Sequence, residues 1–190
     1  MFLIKNDFWE IKKTEHKGLG VFAKKEIVAG TIIGDYLGKV VKTAQHDLQK
    51  DKGEIYLMYY TDEASIYPDL KKPGTHLLNH SCQPNCWIYI YQGHTLFFTL
   101  REIKPGEELT ISYLLDPKDE TCNPCVHDCK CASKLCTGTM HTSKEKYGKW
   151  QKFQNSQKKT KIKKVAFGKN LPKLTSYPKV EIRDLTPINF

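Results

Sequence analysis

Leu78-Asn79-His80-Ser81-Cys82-Gln83-Pro84-Asn85-Cys86 is the most chemically varied stretch of this 190-residue chain. It lies just before a run of aromatic and β-branched residues, Trp87-Ile88-Tyr89-Ile90-Tyr91, that has the alternation of a strand. An ordinary explanation is a buried turn in which Asn and Ser side chains satisfy backbone groups. A functional explanation is compatible with it, because the same side chains can hold the chain in place and face a ligand.

Outward from this loop, short apolar segments alternate with turn residues. The strand-sized segments are Leu19–Ala23, Thr31–Tyr36, Lys39–Val41, Glu54–Tyr60, Cys86–Tyr91, Thr95–Thr99 and Glu108–Ser112. Glycines and prolines fall in or between them, and Gln92-Gly93-His94 reads as a hairpin turn. The best helix candidate is Thr43–Lys52, with Thr43 as a cap and Ala44 and Leu48 four apart. The body is therefore expected to be mostly β, built from several small sheets, and near the C-terminus Val180, Ile182 and Leu185 are expected to form a short strand that docks on it. No apolar run approaches membrane-spanning length, and the N-terminus lacks the features of a secretory leader. A chain of this size has room for one catalytic-size domain and an appendage.

Charge divides the chain. Residues 142–190 carry 13 Lys and Arg against three acids, a balance of +10, leaving 17 against 18 and a balance of −1 for residues 1–141. A basic tail of this kind suits an anionic partner such as nucleic acid, chromatin or an acidic protein, and equally a solvated tail. Five of the seven cysteines fall within residues 122–136. Without a leader sequence, such a cluster reads as metal binding in a reducing compartment.

Three further motifs carry chemistry. Lys17-Gly18-Leu19-Gly20-Val21-Phe22-Ala23 places two glycines at a strand entrance, where backbone can approach a ligand closely. It is not the dinucleotide pattern, which needs a third glycine and a following helix. Gly106-Glu107-Glu108-Leu109-Thr110-Ile111-Ser112-Tyr113 is a turn feeding a strand that ends in Tyr. Cys129-Lys130-Cys131-Ala132-Ser133-Lys134-Leu135-Cys136 offers three thiolates at a spacing that can wrap one Zn²⁺. A structural zinc wants a fourth ligand, and Cys82 is a candidate from far upstream.

Taken in order, these four constellations resemble the SET domain of protein lysine methyltransferases followed by its post-SET zinc module. The resemblance covers residues 16–141. It implies a SET-domain (β-clip) fold of small sheets with a pseudoknot, in which the Asn79–Cys82 segment and the final strand are threaded, plus a Cys-rich zinc-binding post-SET segment. The corresponding divisions are an N-terminal flank over 1–15, a SET domain over 16–114, a post-SET module over 117–141 and a basic extension over 142–190. The insert 42–65 would help to shape the substrate groove.

The resemblance also implies roles. S-adenosylmethionine and a substrate lysine would meet in a channel. Lys17, Gly18, Leu19 and Gly20 would cradle the methionine part of the cofactor, with Tyr56 at its border. Asn79 and His80 would hold its amine and adenine ends. Tyr113 matches the catalytic tyrosine, also beside the cofactor, and Tyr36 a second tyrosine lining the lysine channel. His76 stands where many relatives have Arg. Zn²⁺ would be held by Cys82, Cys129, Cys131 and Cys136. Cys122 and Cys125 depart from the pattern: they are open to a separate four-Cys site, a second metal with His127 or His141, or no ligation at all. Cys86 reads as a small buried hydrophobe. Ile111, often Phe or Tyr in the family, and aliphatic Ile88 point to di- or trimethylation.

The implied partner is a protein carrying a target lysine, with a histone as the family's commonest substrate and nucleosomal DNA as a contact for residues 142–190; no membrane partner is expected. Localisation is then nuclear or cytoplasmic. With 28 Lys against two Arg, the composition also fits an A/T-rich microbe or virus whose protein is delivered into a host cell. Two rival readings stand beside the enzyme: a catalytically silent SET module that binds a partner or nucleic acid through its tail, and a zinc-dependent nucleic-acid-binding protein. The last leaves Asn79–Cys86 and Gly106–Tyr113 unexplained.

Overall fold

The computed structural model describes residues 7–45, 56–120, 122–156 and 165–181. Among the described residues the strands, in chain order, are β1 (Trp9–Lys13), β2 (Leu19–Ala23), β3 (Ile32–Asp35), β4 (Lys39–Lys42), β5 (Met58–Thr61), β6 (Ala64–Tyr67), β7 (Asn79–His80), β8 (Cys86–Tyr91), β9 (His94–Thr99) and β10 (Glu108–Ile111). The helix α1 (Lys144–Ser156) follows them. The strands form three small sheets, ordered β1-β2-β10-β7, β3-β9-β8 and β4-β6-β5.

Strand β9 explains why the sheets pack as they do. All six of its residues are buried. Because successive side chains point to opposite faces, Phe97 enters the main core with Val21, Leu78, Ile103 and Leu109. Leu96 and Phe98 enter a second core with Ile32, Trp87 and Leu174. The β8–β9 hairpin closes on Gln92 and Gly93, both with positive φ (49° and 83°). That pair of angles belongs to the two-residue turn whose twist matches the flanking strands. Asp35 and His94 form a buried carboxylate–imidazole contact of 2.6 Å between β3 and β9. Burial pushes the Asp35 carboxyl above its usual range, against the pull of His94.

Strands β7 and β10 run parallel, with Thr110 opposite Asn79 and Ile111 opposite His80. The Ser81 N–H extends this ladder to the Ile111 carbonyl at 2.8 Å. Asn85 then stitches the loop in from the other side. Its Nδ2 donates to the Glu108 carbonyl (2.8 Å), and its Oδ1 accepts the Thr110 N–H (2.8 Å).

At Gly38, an added Cβ would run into the Tyr67 carbonyl on the neighbouring β6. The obstacle is backbone, so it cannot rotate away. Gly38→Ala is expected to lower stability by about 2 kcal/mol, read as a fall in melting temperature of roughly 4–8 °C.

The structure differs from the sequence expectations in several places: β1, β6 and β7 were not expected as strands, and β5 begins at Met58, with Tyr56 and Leu57 outside it. Thr43–Gln45 is a single 3₁₀ turn, and the rest of the expected helix, 46–52, lies outside the described residues. The chain around 165–174 docks on the body without forming a strand. Gly168 donates to the Val40 carbonyl, Val40 donates to the Lys169 carbonyl, and Leu171 and Leu174 enter the two cores. Val180 packs beside the second core, whereas Ile182 and Leu185 lie outside the described residues. Helix α1 is a further difference, one that the Lys- and Gln-rich composition of 144–156 did not announce. Its Tyr147 and Trp150 rings lie 5.5 Å apart, and Trp150 packs against the second core.

Candidate active site and zinc centre

The glycine turn sits at the entrance to β2. Thr14 organises it: its N–H and Oγ1 donate to the Gly18 carbonyl at 2.7 and 3.0 Å, and its Oγ1 accepts the Lys17 N–H at 2.9 Å. Gly18 has φ +72°, the left-handed region that favours glycine. Gly20 lies so close to Glu108, Asn79 and Thr14 that a Cβ there would contact all three. Leu19 remains exposed.

Asn79 and Glu108 back this turn. Asn79 Nδ2 donates to the Leu19 carbonyl and to Glu108 Oε1, each at 2.9 Å. The other Glu108 oxygen pairs with the Lys17 ammonium. Residues 17–20, 79 and 108 are thus tied into one surface although they come from three distant parts of the chain. Sequence reasoning placed Lys17, Gly18, Leu19, Gly20 and Asn79 there and missed Glu108. The available signal was the paired acid before a strand, Glu107-Glu108. Glu107 instead faces Arg101 at 2.8 Å on the exterior.

His80 and Tyr113 meet at the end of the parallel β7–β10 ladder. The Tyr113 N–H donates to His80 Nδ1 (3.1 Å), and the two rings meet edge to face at 5.4 Å. Burial, helped by the nearby Lys17 charge, pushes the His80 pKa down to about 4. The neutral ring that accepts at Nδ1 carries its proton on Nε2, 3.6 Å from Cys82 Sγ. Tyr113 is 41% exposed, and its hydroxyl donates to the Leu78 carbonyl at 3.2 Å. Tyr36 is buried and donates to the Tyr56 carbonyl at 2.6 Å. The Tyr56 ring meets His76 edge to face at 5.6 Å, and burial pushes the His76 pKa down.

The ligand atoms of Cys82, Cys129, Cys131 and Cys136 all lie within 4.8 Å of one another. Cys82 and Cys129 sulfurs are 3.6 Å apart, close to the edge of about 3.8 Å for a tetrahedron with zinc–sulfur bonds of about 2.3 Å. The four thiols fit a structural zinc, and Cys82 brings the loop before β8 to the Cys-rich segment. Cys122 and Cys125 join His127 and His141 in a separate cluster. Cys86 is fully buried, and burial pushes its thiol pKa up.

The SET domain family model matches residues 18–114, the stretch from the glycine turn to just past Tyr113. The chain belongs to the SET-domain family. It is similar to histone-lysine N-methyltransferase ASHR3 of Arabidopsis thaliana, 34% identical over 146 residues that make up 72% of this chain and 28% of the relative. It is similar to a fungal relative, the H3 lysine-36 specific histone-lysine N-methyltransferase of Cryptococcus neoformans, at 32% over 69% of this chain and 16% of that protein. A third relative, histone-lysine N-methyltransferase TRX1 of Oryza sativa, is 30% identical over 68% of this chain and 13% of its own length. The match thus spans well under two thirds of these relatives. In this SET protein the order of strands and the parallel β7–β10 pairing bring the family's motifs together. No helix among the described residues is long and apolar enough to cross a membrane.

Proposed function

We propose that this SET protein is an S-adenosylmethionine-dependent protein lysine N-methyltransferase acting on a histone lysine. The observation that carries the reading is the convergence of the Lys17–Gly20 turn, Asn79, His80 and Tyr113 on the parallel β7–β10 ladder. Residues 16–114 form the catalytic unit in this reading, 117–141 a zinc-bound post-SET module and 142–190 a basic extension, with 1–15 as a flank. The relatives named for histone methylation support the substrate class and a nuclear site of action. The exposed Lys144, Lys146, Lys149 and Lys152 of α1 suit nucleosomal DNA. A microbial or viral origin with delivery into a host is compatible with the same chemistry.

Glu108 sets a carboxylate behind the glycine turn, shared between Lys17 and Asn79, and this polar surface suits a cofactor that carries both an ammonium and a sulfonium. S-adenosylmethionine supplies a methyl group on that sulfonium when bound. Lys17–Gly20 would hold its methionine part with Tyr56 at the border, and Asn79 and His80 its two ends. Tyr113, fixed by its bonds to His80 and Leu78, would present a neutral phenol as an oriented dipole. Tyr36, anchored on Tyr56, would line the lysine channel. With Ile111 buried and Ile88 half-buried, the reading extends to di- or trimethylated product.

A lysine attacks only when neutral, and at pH 7 roughly one free lysine in 2,500 is neutral. A desolvated channel beside a cation lowers that barrier by disfavouring ammonium, and alignment supplies much of the rest. The rate of the chemical step is therefore expected to rise with pH, by as much as about tenfold per unit below the pKa of the bound lysine. Single-turnover rates from pH 6 to 9 measure this, and a flat profile would remove the lysine-ionisation argument. The function itself is tested by labelled methyl transfer to core histones and nucleosomes. Labelled lysine, identified by mass spectrometry, supports it. Cofactor binding without transfer to any histone favours the silent module.

A further inference from the structure

We propose that the chain holds a second tetrahedral zinc ion, bound by Cys122, Cys125, His127 and His141. The site lies apart from the four-cysteine cluster. It goes beyond the methyltransferase reading and stands or falls without it.

The four ligand atoms lie within 4.8 Å of one another. His127 Nδ1 is 3.3 Å from Cys122 Sγ and 3.9 Å from Cys125 Sγ. His141 Nε2 is 3.3 Å from Cys122 Sγ and 3.6 Å from Cys125 Sγ. A tetrahedron with zinc–sulfur bonds of about 2.3 Å and zinc–nitrogen bonds of about 2.0–2.1 Å has a sulfur–nitrogen edge of about 3.5 Å. All four nitrogen–sulfur distances cluster around that edge. The two imidazole planes stand at 87° with centroids 4.9 Å apart, so both rings direct a nitrogen into the cluster without stacking.

The outer atoms support the same reading. His141 Nδ1 lies 2.6 Å from the Asp116 carbonyl. A carbonyl only accepts, so Nδ1 carries the proton and Nε2 presents its lone pair to the sulfurs. This is the arrangement by which a backbone carbonyl orients a zinc-bound histidine. The backbone is fixed around both histidines. Met140 N–H donates to the His127 carbonyl at 2.8 Å, and Thr142 N–H donates to the Leu115 carbonyl at 3.0 Å. The ligands are therefore brought together from 122–127 and from 141 by backbone pairing.

Two thiolates and two neutral imidazoles balance the charge of Zn²⁺, whereas four thiolates leave a zinc site doubly negative. The chemistry favours zinc or another borderline-soft divalent ion over magnesium or calcium, which prefer oxygen. The ion would tie the start of the Cys-rich segment to its end, where His141 pairs with Leu115, two residues beyond Tyr113.

Metal content of the full chain, produced with zinc and measured by elemental mass spectrometry, tests this. Two zinc ions per chain are expected. Cys125→Ser and His141→Ala should each hold one, Cys129→Ser should also hold one, and Cys125→Ser combined with Cys129→Ser should hold none. With cobalt in place of zinc, Cys125→Ser combined with Cys122→Ser should remove about one third of the thiolate-to-metal absorption, because that site owns two of six thiolates. If Cys125→Ser fails to fold, Cys125→His restores a fourth donor and should recover two ions. One zinc per wild-type chain that Cys129→Ser alone removes overturns the proposal, as does a Cys122–Cys125 disulfide in the zinc-loaded protein. Wild-type content is decisive whether or not methyl transfer is detected.

Discussion

Tyr113→Phe is expected to lower the methyl-transfer rate by about 10²–10³-fold, comparable to the cost of deleting one oriented polar group at a reacting centre. The substitution is nearly isosteric. The ring can keep its edge-to-face contact with His80, and the backbone bond from Tyr113 N–H to His80 Nδ1 is untouched. Only the hydroxyl and its bond to the Leu78 carbonyl are lost. Fold and zinc content should therefore stay at wild-type values, and cofactor affinity should change little. Single-turnover methyl transfer on the best histone substrate, with cofactor binding measured in parallel, separates the two effects. A variant that keeps a third or more of the wild-type rate would remove Tyr113 from the catalytic role. Loss of cofactor binding with an intact fold would instead make the hydroxyl part of the cofactor's binding surface.

The four-cysteine cluster and this tyrosine are mechanically connected. Cys82 contributes to the four-thiol cluster, His80 points its Nε2 proton at Cys82 sulfur, and the opposite ring nitrogen receives the Tyr113 N–H. A thiolate is a better acceptor for that proton than a thiol. Metal binding at the cluster would thus strengthen the contact that orients His80, and through it the backbone that carries the phenol. Burial keeps His80 neutral, which preserves its ability to accept from Tyr113.

Much of this arrangement was legible in the sequence because the relevant signals are local. Two residues of Gln92-Gly93-His94 sufficed for the hairpin, since paired positive φ values are tolerated by few residue types. Strands β2 and β8 were legible at both ends because their apolar residues are closely spaced between turns. The Cys129, Cys131 and Cys136 spacing offered three candidate zinc ligands, and the resemblance to the SET family made Cys82 the candidate fourth, which the structure places beside them.

What was not legible depends on distant partners. Strand β1 has only Trp9 and Ile11 as apolar residues and exists by pairing with β2. Strand β6 is four residues long and is defined by neighbours on both sides. Helix α1 has Tyr147 and Trp150 in a strongly polar sequence, and its inward face is set by the second core. Glu108 reads as surface charge until β10 is placed beside β2, where it meets Lys17 and Asn79. His127 and His141 are 14 residues apart, with no spacing rule between them. The backbone pairing around Met140 and Thr142 selects them together from the earlier alternatives for Cys122 and Cys125.

Asn85→Ala is expected to be the most destabilising single change in the loop, by about 4 kcal/mol. The side chain is almost wholly buried and serves two backbone groups of one strand: the Glu108 carbonyl and the Thr110 N–H. Truncation leaves both without that partner, at about 1–3 kcal/mol each. It also leaves a void beside Cys86, which is fully buried. Asn85→Asp should fare little better. It keeps an acceptor for Thr110, but it turns an oxygen toward the Glu108 carbonyl and buries a carboxylate where a neutral amide was matched to one acceptor and one donor. By contrast, the Leu100 N–H bond to the Asn85 carbonyl uses backbone and survives both substitutions. Urea unfolding of the zinc-loaded protein gives the free energy directly. The melting temperature should fall by roughly 8–16 °C for a chain of this length. A loss below about 1 kcal/mol would show that the parallel β7–β10 ladder holds the loop without this side chain, and that the polar density of Asn79–Cys86 serves ligands more than the fold.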